Sequence, residues 1–408
     1  MFYNLAWYNK YLRIGDGKEA INITVVDLFC GCGGMSLGFQ EAGFNILAGF
    51  EHWETAISCY KKNFSHPVED VNLSDVDFSV KKIMKYNPDI IIGGPPCQDF
   101  SGAGNRVEGE RANLTIAYAK IISKILPQYF VMENVERAYS SEAYKKARKI
   151  FKRAGYGLTE KVLDASFCGV PQKRKRFFCV GYRNGQDSFL DGLLSTNQSV
   201  FPLTVREYFH QKKYKLAMKY YYRHPRSYKR RGIFSIDEPS PTIRGVNRPK
   251  PGSYIRHKGD LVDPDGVRNL TSEERSLIQT FPPEFIWDTS LAATEQMIGN
   301  AVPVKLANYV ADCLLRFING DTDLHNLRFI DWLKTSKGLS PKVAGDTLSR
   351  IGRAKNILPL ENDACENYLK KLRQEDSFKN IVPSVQAQIR RAIRLYFEYL
   401  YEHKEVLI

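Results

Sequence analysis

Ile23-Thr24-Val25-Val26-Asp27-Leu28-Phe29-Cys30-Gly31-Cys32-Gly33-Gly34 is a short apolar run, β-branched in its first half, that ends in glycines. Met35-Ser36-Leu37-Gly38-Phe39-Gln40-Glu41-Ala42 follows at once with helical spacing. Strand, glycine turn and helix together make the first half of a βα unit. Similar apolar runs recur at residues 46–50, at 89–92 before Gly93-Gly94-Pro95-Pro96, at 129–132 before Glu133-Asn134-Val135, and at 176–182, with helical stretches such as 114–125 and 142–153 between them. The alternation predicts an α/β fold, a mostly parallel sheet with helices on both faces. Ligands of such sheets bind beyond the carboxyl ends of the strands, which is where the glycines of 31–34, Glu51, Pro96-Cys97 and Glu133 fall.

The chain of 408 residues is 43% hydrophobic and 25% charged, a globular composition long enough for two or three domains. Its net charge of +14 is concentrated: residues 212–258 hold seven Lys and seven Arg against Asp237 and Glu238 alone. Interleaved with six tyrosines and five prolines, that window reads as loops and short strands presented to a nucleic acid. No stretch approaches the ~20 apolar residues of a membrane span, and the first residues lack a charged segment followed by an apolar run, so a cytoplasmic protein without membrane contact is expected. Eight scattered cysteines form neither a disulfide framework nor a zinc-ligand spacing, so no metal is expected and a thiol is free to react.

Glycines after the first strand let a nucleotide-like ligand approach the backbone, and Glu51 at the second strand's tip suits ribose hydroxyls, with His52-Trp53 beside it to cover a base. Cys97, fixed by Pro95-Pro96 at a strand end, is presented to the crevice, and a thiolate is the strongest side-chain nucleophile near neutral pH. Glu133 brings a carboxyl group to the same edge, and Gln172-Lys173-Arg174-Lys175-Arg176 brings fixed positive charge.

In this order the motifs resemble those of the DNA (cytosine-5)-methyltransferases of bacterial restriction-modification systems: Asp27-Leu28-Phe29-Cys30-Gly31-Cys32-Gly33-Gly34, Glu51, Gly93-Gly94-Pro95-Pro96-Cys97-Gln98, Glu133-Asn134-Val135, Gln172-x-Arg174-x-Arg176, Arg268-Asn269-Leu270-Thr271 with Glu274, and Gly299-Asn300-Ala301-Val302-Pro303. The resemblance covers residues 23–317 and implies a Rossmann-like S-adenosylmethionine-dependent methyltransferase domain (23–183 and 291–320), a smaller target recognition domain (184–290), an N-terminal arm (1–22) and a C-terminal helical module (321–408). It further implies that Cys97 adds to C6 of a flipped-out cytosine in double-stranded DNA, with Glu133 at N3 and the exocyclic amine and with Arg174 and Arg176 at O2. Carried over position by position, Phe29, Gly31, Gly33, Gly34, Glu51, His52, Asp70, Pro96, Leu114, Asn300 and Val302 would line the S-adenosylmethionine site; around Leu114, residues 110–114 depart from the family pattern.

The basic window then falls in the recognition domain. Arg226, Arg230, Arg231, Arg244 and Arg248 become candidate base or phosphate contacts, and Thr242-Ile243 resembles a Thr-aliphatic pair beside the flipped nucleotide. The resemblance implies an enzyme acting as a monomer on DNA, with a restriction endonuclease as functional counterpart. An RNA cytosine-5 methyltransferase or a catalytically silent DNA-binding regulator are the alternatives; the presence of Cys97, Glu133 and Arg176 speaks against the silent one. Residues 327–401 faintly resemble the helical core-binding domain of tyrosine recombinases, without that family's catalytic set.

Overall fold

β1 (Thr24–Leu28) is buried along nearly its whole length, with Val25, Val26, Asp27 and Leu28 all inaccessible. Such burial arises at the centre of a sheet covered by helices on both sides. The computed structural model, which describes residues 22–96, 112–199, 201–227, 229–320, 324–360 and 364–402, places β1 there. β2 (Asn45–Glu51), β3 (Val68–Asp70), β4 (Ile90–Gly93), β5 (Tyr129–Val135), β6 (Tyr156–Asp164) and β8 (Lys175–Arg183) complete a sheet in the order β3-β2-β1-β4-β5-β8-β6, with β7 (Gln172–Lys173) set apart from it. β1 to β5 pair in parallel, as the alternation of apolar runs and helices predicts. β8 runs antiparallel to both β5 and β6. The chain reverses strand order between β1 and β4, so a crevice opens at their carboxyl ends.

Helices Ala112–Ile125 and Glu142–Arg153 cover part of the sheet. Tyr118 is fully buried, and its hydroxyl lies 3.2 Å from the carbonyl oxygens of both Ile91 and Val131, across two neighbouring strands. Phe130 stacks on Phe151 at 4.3 Å between ring centres. Ser141 accepts a bond from the Tyr144 amide and so starts the helix that carries Phe151.

The basic window forms two short antiparallel strands, β9 (Tyr220–Tyr222) and β10 (Ile233–Ser235), followed by β11 (Ser240–Pro241), which pairs in parallel with β7. Its tyrosines turn inward: Tyr221, Tyr222 and Tyr254 are buried, and the Tyr254 hydroxyl holds Asp260 at 2.7 Å, whose other oxygen accepts the Gly232 and Ile233 amides. Aromatic side chains that the sequence offers to a nucleic acid thus belong to the core of this small region, Tyr221 packed with Phe234, Ile236 and Ile243, and Tyr222 and Tyr254 with Ile233.

The chain divides into two compact units. One takes residues up to Asp187 together with Leu203–Asp312; the other takes Ser188–Pro202 with Cys313–Ile408. The second is helical, as the sequence pattern from residue 321 on predicts for that part of it, and Phe329, Trp332, Leu348, Ile351, Leu369, Ile393 and Tyr396 belong to its core. Gly352 of helix Pro341–Ile357 lies so close to helix Asp191–Thr196 that a Cβ there would stand 2.8 Å from the backbone of Thr196. No described helix is long and apolar enough to cross a membrane.

Candidate active site and nucleic-acid interface

After β1 the backbone passes through the left-handed region at Phe29, Gly31 and Gly33. Glycine is required twice for close approach as well: a Cβ on Gly33 would lie 2.3 Å from the Phe64 ring, and one on Gly34 would lie 2.4 Å from the carbonyl oxygen of Val302. Glu51, at the end of β2, secures this loop. Its carboxylate accepts the amides of Gly31 (2.9 Å), His52 (2.8 Å) and Trp53 (3.0 Å). Asp70 pairs with Glu51 in the β2–β3 register and holds His52 Nδ1 at 2.8 Å, both side chains being about two-thirds exposed. A Cβ on Gly31 would meet nothing within 4 Å, so the backbone there is open to a ligand. An open glycine turn, a fixed carboxylate and an exposed His–Asp pair at adjacent strand ends fit a nucleoside cofactor with a ribose diol and an adenine amine.

Of the other expected cofactor residues, Val302 is tied to this loop through its carbonyl against Gly34. Pro96 is exposed beyond β4, Leu114 is half-buried near the start of helix Ala112–Ile125, and Asn300 is exposed at the end of helix Leu291–Asn300. Beneath the loop runs a polar chain that sequence reasoning did not assign. The Ser36 hydroxyl donates to Asp27 (2.6 Å), the Tyr60 hydroxyl donates to Ser36 (2.7 Å), and His66 Nε2 lies 2.7 Å from the Tyr60 oxygen. Burial drives the Asp27 carboxyl up to about 7, opposed by the bonds from Ser36 and reinforced by Glu51. Burial likewise pushes His66 down to about 4, so its ring is neutral at pH 7.

Cys97 lies outside the described residues. The chain just before it is held by Asn134, whose side-chain amide donates to the Pro95 carbonyl at 3.2 Å. One residue earlier on β5 stands Glu133, buried, with Oε1 2.9 Å from Arg176 Nε. The pair spans the antiparallel register of β5 and β8, where Glu133 sits opposite Phe178 and Val135 opposite Arg176. A Cβ on Gly94 would stand 3.3 Å from Glu133 Oε2, so the end of β4 faces this carboxylate. Burial raises the proton affinity of Glu133, and Arg176 and then Arg174 counter it.

Arg174, two residues from Arg176, behaves differently. It is fully buried and donates from Nη1 to the Ile243 carbonyl (2.9 Å) and from Nη2 to the carbonyls of Gly299 (2.9 Å) and Ala301 (3.0 Å). Both of its Nη groups are therefore engaged with backbone. Gln172 continues the tie: its amide donates to Gln279 at 2.7 Å, and its oxygen accepts the Ile243 amide at 2.9 Å. Thr242 donates its hydroxyl to the Lys173 carbonyl at 2.8 Å. The strand end carrying Arg174, the segment 242–244 and the segment 299–301 form one hydrogen-bonded unit.

The candidate arginines of the basic window separate into kinds. Arg226, Arg230 and Arg248 are exposed. Arg244 is partly buried and donates to the His224 carbonyl. Arg231 is ion-paired with Glu238 and stands 4.3 Å over the Phe234 ring.

Comparison with known proteins agrees with this geometry. Residues 23–316 match the C-5 cytosine-specific DNA methylase family. The Type II methyltransferase M.HgiDI of Herpetosiphon aurantiacus is 52% identical over 295 residues, covering 72% of this chain and 94% of that protein. M.HindV of Haemophilus influenzae is 53% identical over 298 residues, covering 72% and 96%. Among solved structures, the S. pombe Dnmt2 methyltransferase shares the fold with a TM-score of 0.57 at 19% identity, over 73% of this chain and 99% of that one. The chain belongs to the C-5 cytosine-specific DNA methylase family and is an S-adenosylmethionine-dependent enzyme that methylates C5 of cytosine in DNA.

Proposed function

We propose that the protein is the modification enzyme of a Type II restriction system, acting in the cytoplasm as a monomer on one recognition sequence and protecting host DNA from a cognate endonuclease. The support is the kinship with M.HgiDI and M.HindV over almost their whole length, both named Type II methyltransferases.

The site chemistry is proposed on one observation, the buried Glu133–Arg176 pair at the sheet edge that leads to Cys97. Cytosine C5 is too weak a nucleophile to take a methyl group directly. Addition of the Cys97 thiolate to C6 makes C5 enamine-like, while Glu133, its proton affinity raised by burial, shares a proton with N3 and accepts from the exocyclic amine. Arg176 steadies O2 as charge develops there. Arg174 acts through its three carbonyl bonds, holding the 243 and 299–301 segments against the strand end that bears Arg176. When bound, S-adenosylmethionine supplies the electrophilic methyl group. Phe29, Gly31, Gly33, Gly34, Glu51, His52, Asp70, Pro96, Leu114, Asn300 and Val302 line its site in this reading. Loss of the C5 proton then lets Cys97 leave C6. Flipping the base costs a few kcal/mol, which contacts from Arg226, Arg230, Arg244, Arg248 and Thr242 to the DNA offset. Arg231, held by Glu238 and Phe234, serves mainly to fold the region.

Incubation with labelled S-adenosylmethionine and either duplex DNA or tRNA tests the reading. Label enters DNA, Cys97→Ala abolishes transfer while DNA binding persists, and a 5-fluorocytosine duplex traps a covalent adduct only when Cys97 is present. Label in tRNA alone, or an adduct independent of Cys97, overturns it. Bisulfite sequencing of DNA from expressing cells reads the site, and resistance of that DNA to a nuclease cutting the same sequence tests the protective role.

A further inference from the structure

Arginines gather at one pocket in the basic region. Arg223, Arg244 and Arg248 line it together with His224, Asn247 and Arg275, and Arg226 adds its field to those of Arg223 and Arg244. None of Arg223, Arg226, Arg244 and Arg248 is ion-paired with a described carboxylate. By contrast Arg206, Arg231, Arg256, Arg268 and Arg275 all are. Two members are fixed by the backbone: Arg223 donates from Nη2 to the Thr242 carbonyl at 2.8 Å, and Arg244 donates from Nη2 to the His224 carbonyl. Arg248, on the pocket wall, and Arg226, near enough to act on Arg223 and Arg244, are both exposed.

Burial lowers the proton affinity of Arg223 to about 10, with Arg244, Arg226 and Arg275 adding to the fall. Burial, then Arg226 and Arg248, lowers that of Arg244. Burial, Arg248 and Arg244 together lower that of His224. All the arginines still carry their charge at neutral pH, so the pocket concentrates cations that repel one another.

From this geometry we infer that Arg223, Arg226, Arg244 and Arg248 form a phosphate clamp that takes the sugar-phosphate backbone of DNA, and that they are not readers of base edges. The inference rests on the DNA-modification reading and deepens it. A bidentate reading of guanine needs one guanidinium with two free parallel donors facing a neutral base edge. Here two of the four guanidinia already have an Nη on a carbonyl, and a neutral base edge leaves several mutually repelling charges in place. A phosphodiester relieves that repulsion and accepts from more than one guanidinium at once. Arg223 also reaches the carbonyl of Thr242, whose hydroxyl is bonded to Lys173. An anion held in the pocket is thereby linked by two hydrogen bonds to the strand that precedes Arg174.

Fluorescence anisotropy of the full chain with duplexes of several unrelated sequences, at about 50 to 200 mM salt, tests the clamp. The exposed Arg226→Gln and Arg248→Gln leave the fold intact, which circular dichroism checks. Each is expected to weaken binding to every duplex alike and to lower the log–log salt slope by about 1, so that the loss of affinity across that salt range shrinks about 3.5-fold per contact removed. Bisulfite sequencing should find the methylated sequence unchanged in both. Arg256→Gln, in the same window but paired with Asp263, should leave the slope as it is. Unchanged slopes in the two clamp variants, or a relaxed recognition sequence at one position, overturn the inference. Calorimetric titration with inorganic phosphate separates the two sources of the anion: no saturable binding is expected, and saturable binding lost in Arg226→Gln would assign the pocket to free phosphate. A wild-type protein that binds no duplex refutes the DNA-modification reading itself, an outcome distinct from wild-type binding with unaltered variant slopes.

Discussion

The sheet edge and the basic region present functional side chains by opposite means. At the sheet, Glu51 closes β2 and Glu133 stands near the end of β5, both inner strands of the seven, so their positions follow from the pleat and the register. In the basic region the strands are two or three residues long, and the arginines are fixed one by one through carbonyls and carboxylates. A strand end is suited to a reaction that is the same for every substrate. Side chains braced individually can change partners without disturbing the sheet, which suits the DNA-reading role proposed for this region.

Breaking the sheet-edge half of that contrast should give the largest effects. Glu133→Gln keeps size and burial but lacks the carboxyl proton, so kcat should fall about 10²- to 10⁴-fold with DNA affinity retained. An equal loss in DNA binding would mean that Glu133 builds the site and does not act in it. Next in size is Arg174→Met, which takes this buried donor from the carbonyls of Ile243 and Gly299, while the Ala301 carbonyl keeps a bond from Gln279. We expect a loss of about 3–5 kcal/mol of stability in urea titrations. A variant as stable as wild type would show that the three segments are held together by other contacts.

These two residues also mark what the sequence discloses. Runs of apolar residues ending in glycine or a carboxylate made β1, β2, β4 and β5 legible, because fully buried parallel strands leave that pattern. β6 and the reversed direction of β8 were not legible, since Tyr156–Asp164 mixes Thr, Glu and Lys into its run and its pairing with β8 is a tertiary fact. The difference between Arg174 and Arg176 is hidden for the same reason. Lying two apart in one motif, they are separated in role by carbonyls that come from 69 to 127 residues further along the chain. The polar chain from Asp27 to His66 was equally invisible, as nothing local tells that Tyr60 folds under the glycine loop.

That chain sharpens the comparison through pH. The Asp27 carboxyl is raised from 3.8 to about 7 in the folded protein, so the fold binds its proton more tightly than the unfolded chain does. Its contribution is fully present below about pH 4 and is lost as the pH rises to about 7, where it levels off. Across this window it should remove about 2–4 kcal/mol. Asp27→Asn still offers Ser36 an oxygen to donate to but has no proton to lose. The difference in urea stability between variant and wild type should therefore grow in the variant's favour from pH 4 to 7. A constant difference would show that the fold does not raise the proton affinity of Asp27.

Arg231→Ala gives the smallest effect and probes the basic region on its own terms. Its guanidinium is joined to Glu238 and lies over Phe234, and the side chain is only 30% exposed, so the arginine braces β10 from one side. Removing it should lower stability by about 1–2 kcal/mol, from a partly exposed ion pair of up to about 1 kcal/mol and a cation–π contact of similar size. Glu238 still receives the Ser235 amide, which limits the damage to this turn. Arg226, exposed and not ion-paired with a described carboxylate, should show the reverse: no change in stability and a shallower salt dependence of DNA binding. If Arg231→Ala lowered the salt slope as Arg226→Gln is expected to, the division of these arginines into those that brace the fold and those that hold the DNA would fail.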